Sequence, residues 1–460
     1  MNSCCCLHVQ LLSANDSVTM NNSQSSHLAD KPRLIIVGGG FAGLNLARRL
    51  KDTAFEILLI DKVNHHQFQP LFYQVAAAEL EPSNISFPLR GIFHGSKNVR
   101  IRLGEVQKIF PSPIREDSFG KESIRTENKI TTTAGEYHYD FLVIATGATT
   151  NFFGNKNLEQ FTLPMKSTSE AIAIRQYILQ NFEAALTAPV GEQEGLMNFV
   201  IAGGGPTGVE LAGALAEMKT NSLQRDYPEI DFSHMRIMLV EGSPKTLGTM
   251  SEAASAKSKE YLEKMGVTVW TNTTVKDYDG KNVILSNEKT IRSDTVIWAA
   301  GVRGNMIEGL NPELIMRGNR MKVDRFNRVE GYENIFAIGD IAYMTTEKYP
   351  NAHPQVANVA VSQAKVLAKN LKNILHNKSL IQYEYKDKGS LATVGKHKAV
   401  VDLPYIKFQG FFAWFVWMGL HLVLLMGMKN RLFVFIDWVI SYFSNNSTLR
   451  LIFRPFNRRN

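Results

Sequence analysis

Short, almost wholly apolar runs alternate with longer mixed segments through most of this chain. Leu34-Ile35-Ile36-Val37, Phe55 to Ile60, Phe141-Leu142-Val143-Ile144, Phe199-Val200-Ile201-Ala202, Ile237-Met238-Leu239-Val240 and Thr295-Val296-Ile297-Trp298 have strand length and little polar alternation. That pattern predicts strands covered on both faces, as in parallel sheets with helical crossovers. From Lys31 to about Thr150 the order reads βαβ, an irregular middle, then a further strand; from about Thr168 to Gly301 a second α/β unit repeats the theme. The stretch from Asn221 to Ser233 reads as an extended helix or a loop. A third strand-like run, Asn334-Ile335-Phe336-Ala337-Ile338, follows, and the chain closes with apolar, aromatic segments at Phe411 to Met428 and Leu432 to Phe443.

The punctuation after the first strand of each unit carries chemistry. Gly38-Gly39-Gly40-Phe41-Ala42-Gly43 follows one, and Gly203-Gly204-Gly205-Pro206-Thr207-Gly208 the other. In such a fingerprint one glycine permits a tight strand-to-helix turn, one admits a pyrophosphate close to the backbone, and one lets helix and strand pack closely. Each is followed by a second strand ending in an acid, Asp61 and Glu241, where a ribose hydroxyl is held; either acid also fits a solvated strand end. The expectation is an α/β fold with two Rossmann-type dinucleotide-binding domains and hence two dinucleotides. Ala145-Thr146-Gly147 and Ala299-Ala300-Gly301 end strands alike, small residues beside the place where open parallel sheets bind ligands. Gly339-Asp340 ends the third run; Asp340 suits either a cofactor's ribityl chain or a helix N-cap.

Composition removes several alternatives. All three cysteines, Cys4, Cys5 and Cys6, lie in a polar amino-terminal tail, so the body from Lys31 onward has none to cycle redox equivalents or form disulfides. Disulfide reduction and sulfide oxidation are therefore disfavoured. The tail lacks the basic and apolar regions of a signal peptide, and Met20 is an alternative start. Histidines are scattered apart from His65-His66, and no metal-ligand spacing occurs, so no metal is expected.

The succession of glycine fingerprints with Ala145-Thr146-Gly147 and Ala337-Ile338-Gly339-Asp340 resembles the two-dinucleotide flavoproteins, in which an NAD(P)H domain is inserted in an FAD domain. Asn64 to Val75, Trp298-Ala299-Ala300-Gly301-Val302, Pro354-Gln355-Val356-Ala357 and Leu391-Ala392-Thr393-Val394-Gly395 narrow the resemblance to the type II NADH dehydrogenases. It implies a non-pumping NADH:quinone oxidoreductase and a homodimer. FAD would lie on Gly38, Gly40, Phe41, Ala42, Gly43, Asp61, Ala145, Thr146, Gly147, Gly339 and Asp340. NADH, as substrate, would lie on Gly203, Gly205, Pro206, Thr207, Gly208, Glu241, Ala300 and Gly301, the Glu241 carboxylate disfavouring a 2′-phosphate. Glu210 matches a glutamate placed near flavin and nicotinamide; its plain alternative is a helix first-turn acid. The quinone-side motif has glutamines where this chain has Asn358 and Ser362, and Gln363 alone keeps the usual chemistry, so Asn358, Ser362 and Gln363 are the quinone-side candidates.

The formal charge of +8 and the aromatic carboxyl terminus bear on partners. Phe411 to Met428 reaches the lower length limit of a membrane span. A span would carry Lys429, Arg431, Arg450, Arg454, Arg458 and Arg459 across the bilayer, with only Asp437 opposing them, so monotopic attachment to anionic lipid is expected. Asp437 and Ser441 on one face of Leu432 to Phe443 fit a helix in the interface. Tryptophans and phenylalanines set in aliphatic runs argue against nucleic acid. The domains expected are a tail (1–30), the FAD domain's first part (31–165), the NADH domain (166–315), the FAD domain's second part (316–400) and an anchoring segment (401–460), on a bacterial inner membrane's cytoplasmic face. A soluble flavin reductase using a protein or oxygen, and a low-turnover membrane sensor, are the alternatives.

Overall fold

The computed structural model describes residues 31–112, 128–444 and 449–453; the cysteine tail, Met20, Arg454, Arg458 and Arg459 lie outside them. Strands β1 (Arg33–Val37), β2 (Glu56–Asp61), β3 (Val99–Leu103) and β4 (Phe141–Ile144) form a parallel sheet in the order β3-β2-β1-β4. β1 is paired on both sides, Val37 lying between Ile60 and Ile144. With Leu34 and Ile36 fully buried, this explains its unbroken apolar run. Helix α1 (Phe41–Arg49) springs directly from the glycine turn, and the short α2 (Phe72–Ala76) leaves the sheet towards the carboxyl-terminal part.

The chain then builds a second parallel sheet. Its strands are β5 (Leu163–Pro164), β6 (Asn198–Ala202), β7 (Arg236–Val240), β8 (Val267–Trp270) and β9 (Thr295–Trp298), in the order β8-β7-β6-β9-β5. Helices α3 (Thr168–Ala185) and α4 (Pro206–Met218) belong to this unit. The interval after α4 extends the helix, as the sequence allows: a π turn at Lys219–Leu223 carries it without a break into Gln224–Asp226, and a loop with a 3-10 turn at Phe232–His234 completes the interval. Strand β10 (Ile335–Ala337) returns to the first sheet and pairs in parallel with β4. The second unit is thus inserted in the first, and a two-stranded antiparallel ribbon, Ala148–Thr150 with Val302–Gly304, carries the chain out and back.

Helix α5 (Ala357–Leu375) packs along α1. A three-stranded antiparallel sheet follows, β11 (Ser390–Thr393), β12 (Ala399–Asp402) and β13 (Lys407–Gly410), and leads into α6 (Phe411–Leu424) and α7 (Met428–Ser444). The apolar stretch from Phe411 to Met428 is therefore not one continuous helix. Leu425 turns fully inward and Gly427 takes a left-handed φ of 75°, which ends α6 after 14 residues. Among the described residues no helix is long and apolar enough to cross a membrane.

The polarity of α7 reverses what Leu432 to Phe443 leads one to expect. Val434, Asp437, Trp438 and Ser441 share one face, and that face packs on the protein. Asp437 Oδ2 accepts from Asn84 Nδ2 at 2.7 Å, Trp438 Nε1 donates to Gln74 Oε1 at 2.9 Å, and the Ser441 carbonyl accepts from Lys396 Nζ at 2.8 Å. Leu432, Phe435, Val439, Ile440 and Phe443 are left exposed, Phe443 by 80%. α6 does the same, burying Ala413, Trp417 and His421 while Phe412 and Val423 stand out by 69% and 66%.

Candidate functional site

Both glycine turns stand at the carboxyl ends of their sheets, where the strand order reverses on either side of β1 and of β6. Gly38 and Gly203 have φ of 105° and 109°, a region open to glycine, and a Cβ on either would run into the backbone of Ala145 or Ala299. The last glycines, Gly43 and Gly208, lie against the carbonyls of Gly38 and Gly203 with no room for a methyl group. Gly40 and Gly205, by contrast, face open space. They begin α1 and α4, whose N-termini carry no side-chain cap and no acid in the first turn. Backbone N–H groups and the positive helix end are thereby turned to an open cradle suited to a phosphate.

The two acids are gripped alike, and neither is a solvated strand end. Asp61 accepts from the N–H of Gly39 at 2.5 Å and of Val63 at 2.8 Å; Glu241 accepts from Gly204 at 2.5 Å and Ser243 at 2.6 Å. Burial pushes the Asp61 carboxyl above its usual range, the Val63 and Gly39 N–H groups opposing. His66, buried beneath the first turn, places Nδ1 at 3.1 Å from the Gly39 carbonyl, which calls for a proton on that nitrogen. Burial holds the ring neutral by pushing its pKa down to about 4.

Around the first cradle, Thr146 Oγ1 donates to the Asn305 carbonyl at 2.7 Å and the Asn305 N–H donates to the Gly147 carbonyl, so this strand-end loop is clipped to the chain leaving the ribbon between the units. Gly147, at φ 68°, faces open space. Asp340 sits in a 3-10 turn, Gly339–Ile341, and caps no helix; the next helix, α5, begins after Val356. Burial raises the Asp340 carboxyl above its ordinary value, with Lys166 and Arg320 opposing. Arg320 is nine-tenths buried, bound to the carbonyls of Ala342 and His353. It was not among the sequence candidates because no motif surrounds it.

These features fit FAD on the first unit: an open phosphate cradle at α1, an acid at the end of β2, small residues after β4, and a half-buried carboxyl at Asp340 near them. The second unit repeats the cradle and acid for a dinucleotide, with Ala300 and Gly301 after β9, although Gly301 is lined by the exposed ring of Phe153.

Glu210 is on α4, not in a solvated first turn. It is 7% exposed, with the Thr393 N–H at 3.4 Å from its carboxyl. Burial pushes it up to about 8, with Thr393 and the Trp417 indole opposing. At neutral pH it is therefore mostly protonated, a group able to give up a proton. Gln363, 1% exposed, accepts from the Gly339 N–H through Oε1 at 2.7 Å and so supports the Asp340 turn. Ser362 turns the other way. Its Oγ donates to the Asn358 carbonyl at 2.6 Å and meets the Tyr383 hydroxyl at 2.8 Å. The structure thus separates Asn358 and Ser362 from Gln363, because neighbouring helix positions diverge.

A cleft opens instead beneath the carboxyl-terminal helices. Tyr73, Trp414, Trp417, Met418 and Trp438 supply its aromatic and apolar walls, Gln74 an amide, and Glu79, Glu217 and Lys396 its charges. None of Asn358, Ser362 and Gln363 lines it. Sequence reasoning missed this chamber, whose walls come from α2, α4, β11, α6 and α7.

Comparison with known proteins decides the ancestry of this arrangement. Residues 32–364 match the family described as pyridine nucleotide-disulphide oxidoreductase, and residues 388–445 match the NDH2 C-terminal domain. The chain is 34% identical to the type II NADH:quinone oxidoreductase NdhA of Mycobacterium tuberculosis, over 92% of this chain and 90% of that protein. It belongs to the type II NADH:quinone oxidoreductase family. Among further relatives is an internal alternative NAD(P)H-ubiquinone oxidoreductase of Solanum tuberosum, 27% identical over 93% of this chain and 89% of that one. The fold is that of NDH2 from Plasmodium falciparum, solved in complex with NADH, at a TM-score of 0.82, 23% identity and coverage of 92% and 100%. It also resembles sulfide:quinone oxidoreductase of Aquifex aeolicus, at a TM-score of 0.66, 19% identity and coverage of 90% and 95%. The family's disulphide chemistry has no counterpart here, since the body from Lys31 onward contains no cysteine.

Proposed function

We propose that this chain oxidises NADH and reduces a membrane quinone through bound FAD, without ion pumping. The carrying observation is the pairing of two like cradles, each with an uncapped helix N-terminus and a backbone-gripped acid, in one inserted α/β body. FAD, when bound, supplies the capacity to take a hydride and return its two electrons to an acceptor. The residues assigned to it are Gly38, Gly40, Phe41, Ala42, Gly43, Asp61, Ala145, Thr146, Gly147, Gly339 and Asp340. NADH is assigned to Gly203, Gly205, Pro206, Thr207, Gly208, Glu241, Ala300 and Gly301.

The chain's own contribution is orientation and proton handling. α1 and α4 present N–H groups to the two pyrophosphates. Glu241, held as an acceptor by Gly204 and Ser243, receives a ribose hydroxyl and repels a 2′-phosphate, which favours NADH. Gln363 positions the Gly339 turn. Glu210 holds a proton at its carboxyl beside Thr393 and Trp417.

The aromatic cleft under α6 and α7 is where we place the quinone, and the outward apolar faces of both helices are where we place the bilayer. Basic residues at the carboxyl end, including Lys429 and Arg431, suit anionic lipid. A homodimer, and the cytoplasmic face of a bacterial inner membrane, complete the proposal. The domain limits we adopt move the second unit's start to Leu163, whose strand lies in the second sheet. The test is one spectrum: flavin absorbance that bleaches on anaerobic NADH addition and returns when a short-chain quinone is added. Return with oxygen or a redox protein but not quinone points to a soluble-type reductase; no bleaching points to a sensor.

A further inference from the structure

Two clefts meet at one wall. The inner, aromatic one has been described. The outer, open to solvent, is lined by Asn221, Ser222 and Arg450. Glu79, Glu217, Lys396 and Ser441 line both, so they form the partition between them. We propose that Glu79 and Glu217 form a proton port, passing a proton from the outer cleft to the acceptor reduced in the inner one. This rests on the quinone reading above.

The stoichiometry requires such an entry. NADH gives up a hydride, which is two electrons and one proton, whereas a quinone becoming a quinol takes two electrons and forms two O–H bonds. One proton must therefore come from water, with NAD⁺ and quinol as products. An apolar acceptor in an aromatic chamber needs a polar group to bring it.

The partition is built for proton exchange. α4 presents Glu210, Ala214 and Glu217 along one stripe, the two carboxyls separated by roughly 10 Å of helix rise. Glu217 Oε1 accepts from the Lys396 backbone N–H, an approach that Gly395 permits because it has no side chain. Lys396 Nζ is engaged with the Ser441 carbonyl at 2.8 Å, so the cation is fixed beside the acids. Tyr73 and Gln74 continue the polar line inside, the Gln74 amide donating to the Tyr73 hydroxyl at 3.1 Å. Trp417, 1% exposed, lines the inner cleft and brings its indole beside Glu210, where it eases that carboxyl's burial.

The charges facing the pair come from several segments. Lys396 lowers both acids and Lys398 lowers Glu217; Glu217 raises Glu79; Tyr73 feels Glu210, Glu79 and Glu217 together. Arg450 faces the outer cleft and is also paired with Asp226. Burial dominates: Glu79 is pushed up to about 8 and Glu217 is raised as well. The pair therefore keeps a proton near neutrality and can still release it.

The experiment uses the full-length, FAD-loaded protein. NADH reduces it anaerobically, and stopped-flow absorbance then follows reoxidation by a short-chain quinone or by ferricyanide, which takes electrons without protons. Glu79→Gln and Glu217→Gln are expected to slow the quinone reaction by about tenfold or more and to flatten its pH profile near neutrality. Ferricyanide rates should hold, and Glu79→Asp should recover part of the loss. Equal slowing with both acceptors, or an unchanged quinone reaction in both glutamine variants, overturns the port. If Glu217→Gln fails to retain FAD, Glu79→Gln decides alone. Wild-type protein that NADH reduces but quinone cannot reoxidise overturns the acceptor reading itself, and the port with it.

Discussion

Glu210→Gln should make the protein more stable than wild type at alkaline pH, while impairing turnover. The carboxyl is 7% exposed, and burial pushes it from the ordinary 4.5 up to about 8. The folded state thus keeps a proton that the unfolded chain has lost, so wild-type stability falls as pH rises from about 4.5 to about 8. At pH 8 the accumulated loss is about 4 kcal/mol, an upper bound. Glutamine keeps an oxygen for the Thr393 N–H and has nothing to ionise. Unfolding free energies from urea titrations of the FAD-loaded protein should coincide for the two proteins near pH 5 and diverge in favour of the variant near pH 8, by roughly 2–4 kcal/mol. Quinone turnover should fall, because an amide cannot exchange a proton. A stability difference independent of pH, or one favouring wild type at the alkaline end, would refute the reasoning.

Three further outcomes are expected. Gly43→Ala should cost FAD retention, read as the ratio of flavin to protein absorbance, because the added methyl meets the Gly38 carbonyl and shifts the first cradle. Glu241→Ser should raise kcat/KM for NADPH relative to NADH by removing the charge that faces a 2′-phosphate; equal use of both nucleotides by wild type would contradict the assignment. The triple substitution Phe412→Ser, Val423→Ser and Phe443→Ser should release the protein from anionic vesicles in a sedimentation assay with little change in Tm. All three side chains are more than half exposed, so their loss opens no core cavity.

What was legible in the chain, and what was not, follows from how far apart the contributing residues lie. The strands at Phe141–Ile144 and Thr295–Trp298 coincide with their apolar runs because burial on both faces leaves no polar alternation to blur the ends. The glycine turns were legible because each packs a strand against the helix that follows it. The carboxyl-terminal sheet escaped notice, since Lys407–Gly410 has only half-buried and exposed positions and no periodic apolar face. Asp340 was ambiguous because glycine followed by an acid precedes both helix caps and cofactor loops; only the late start of α5 removes the first. The divergence of Ser362 from Gln363 was within reach of helical periodicity alone, since adjacent positions differ by about 100°. The chamber was not. Glu79 and Glu217 belong to different elements, and only the folded chain brings them to one wall.

The reversed polarity of α7 ties the chamber to the surface beyond it. A surface helix facing water turns its apolar side in and its polar side out. α7 spends Asp437, Trp438 and the Ser441 carbonyl on Asn84, Gln74 and Lys396, and leaves Leu432, Val439, Ile440 and Phe443 outward. Leaving so much apolar surface in water is costly, at roughly 25 cal/mol per Å², so the arrangement makes sense against a medium that is itself apolar. The inward contacts of the same helix hold the cleft: Trp438 lines the chamber while bound to Gln74, and Ser441 anchors the Lys396 side chain at the partition. Under the proposed function, an acceptor dissolved in lipid would meet, in one pair of helices, both the surface that gathers it and the wall against which it is reduced.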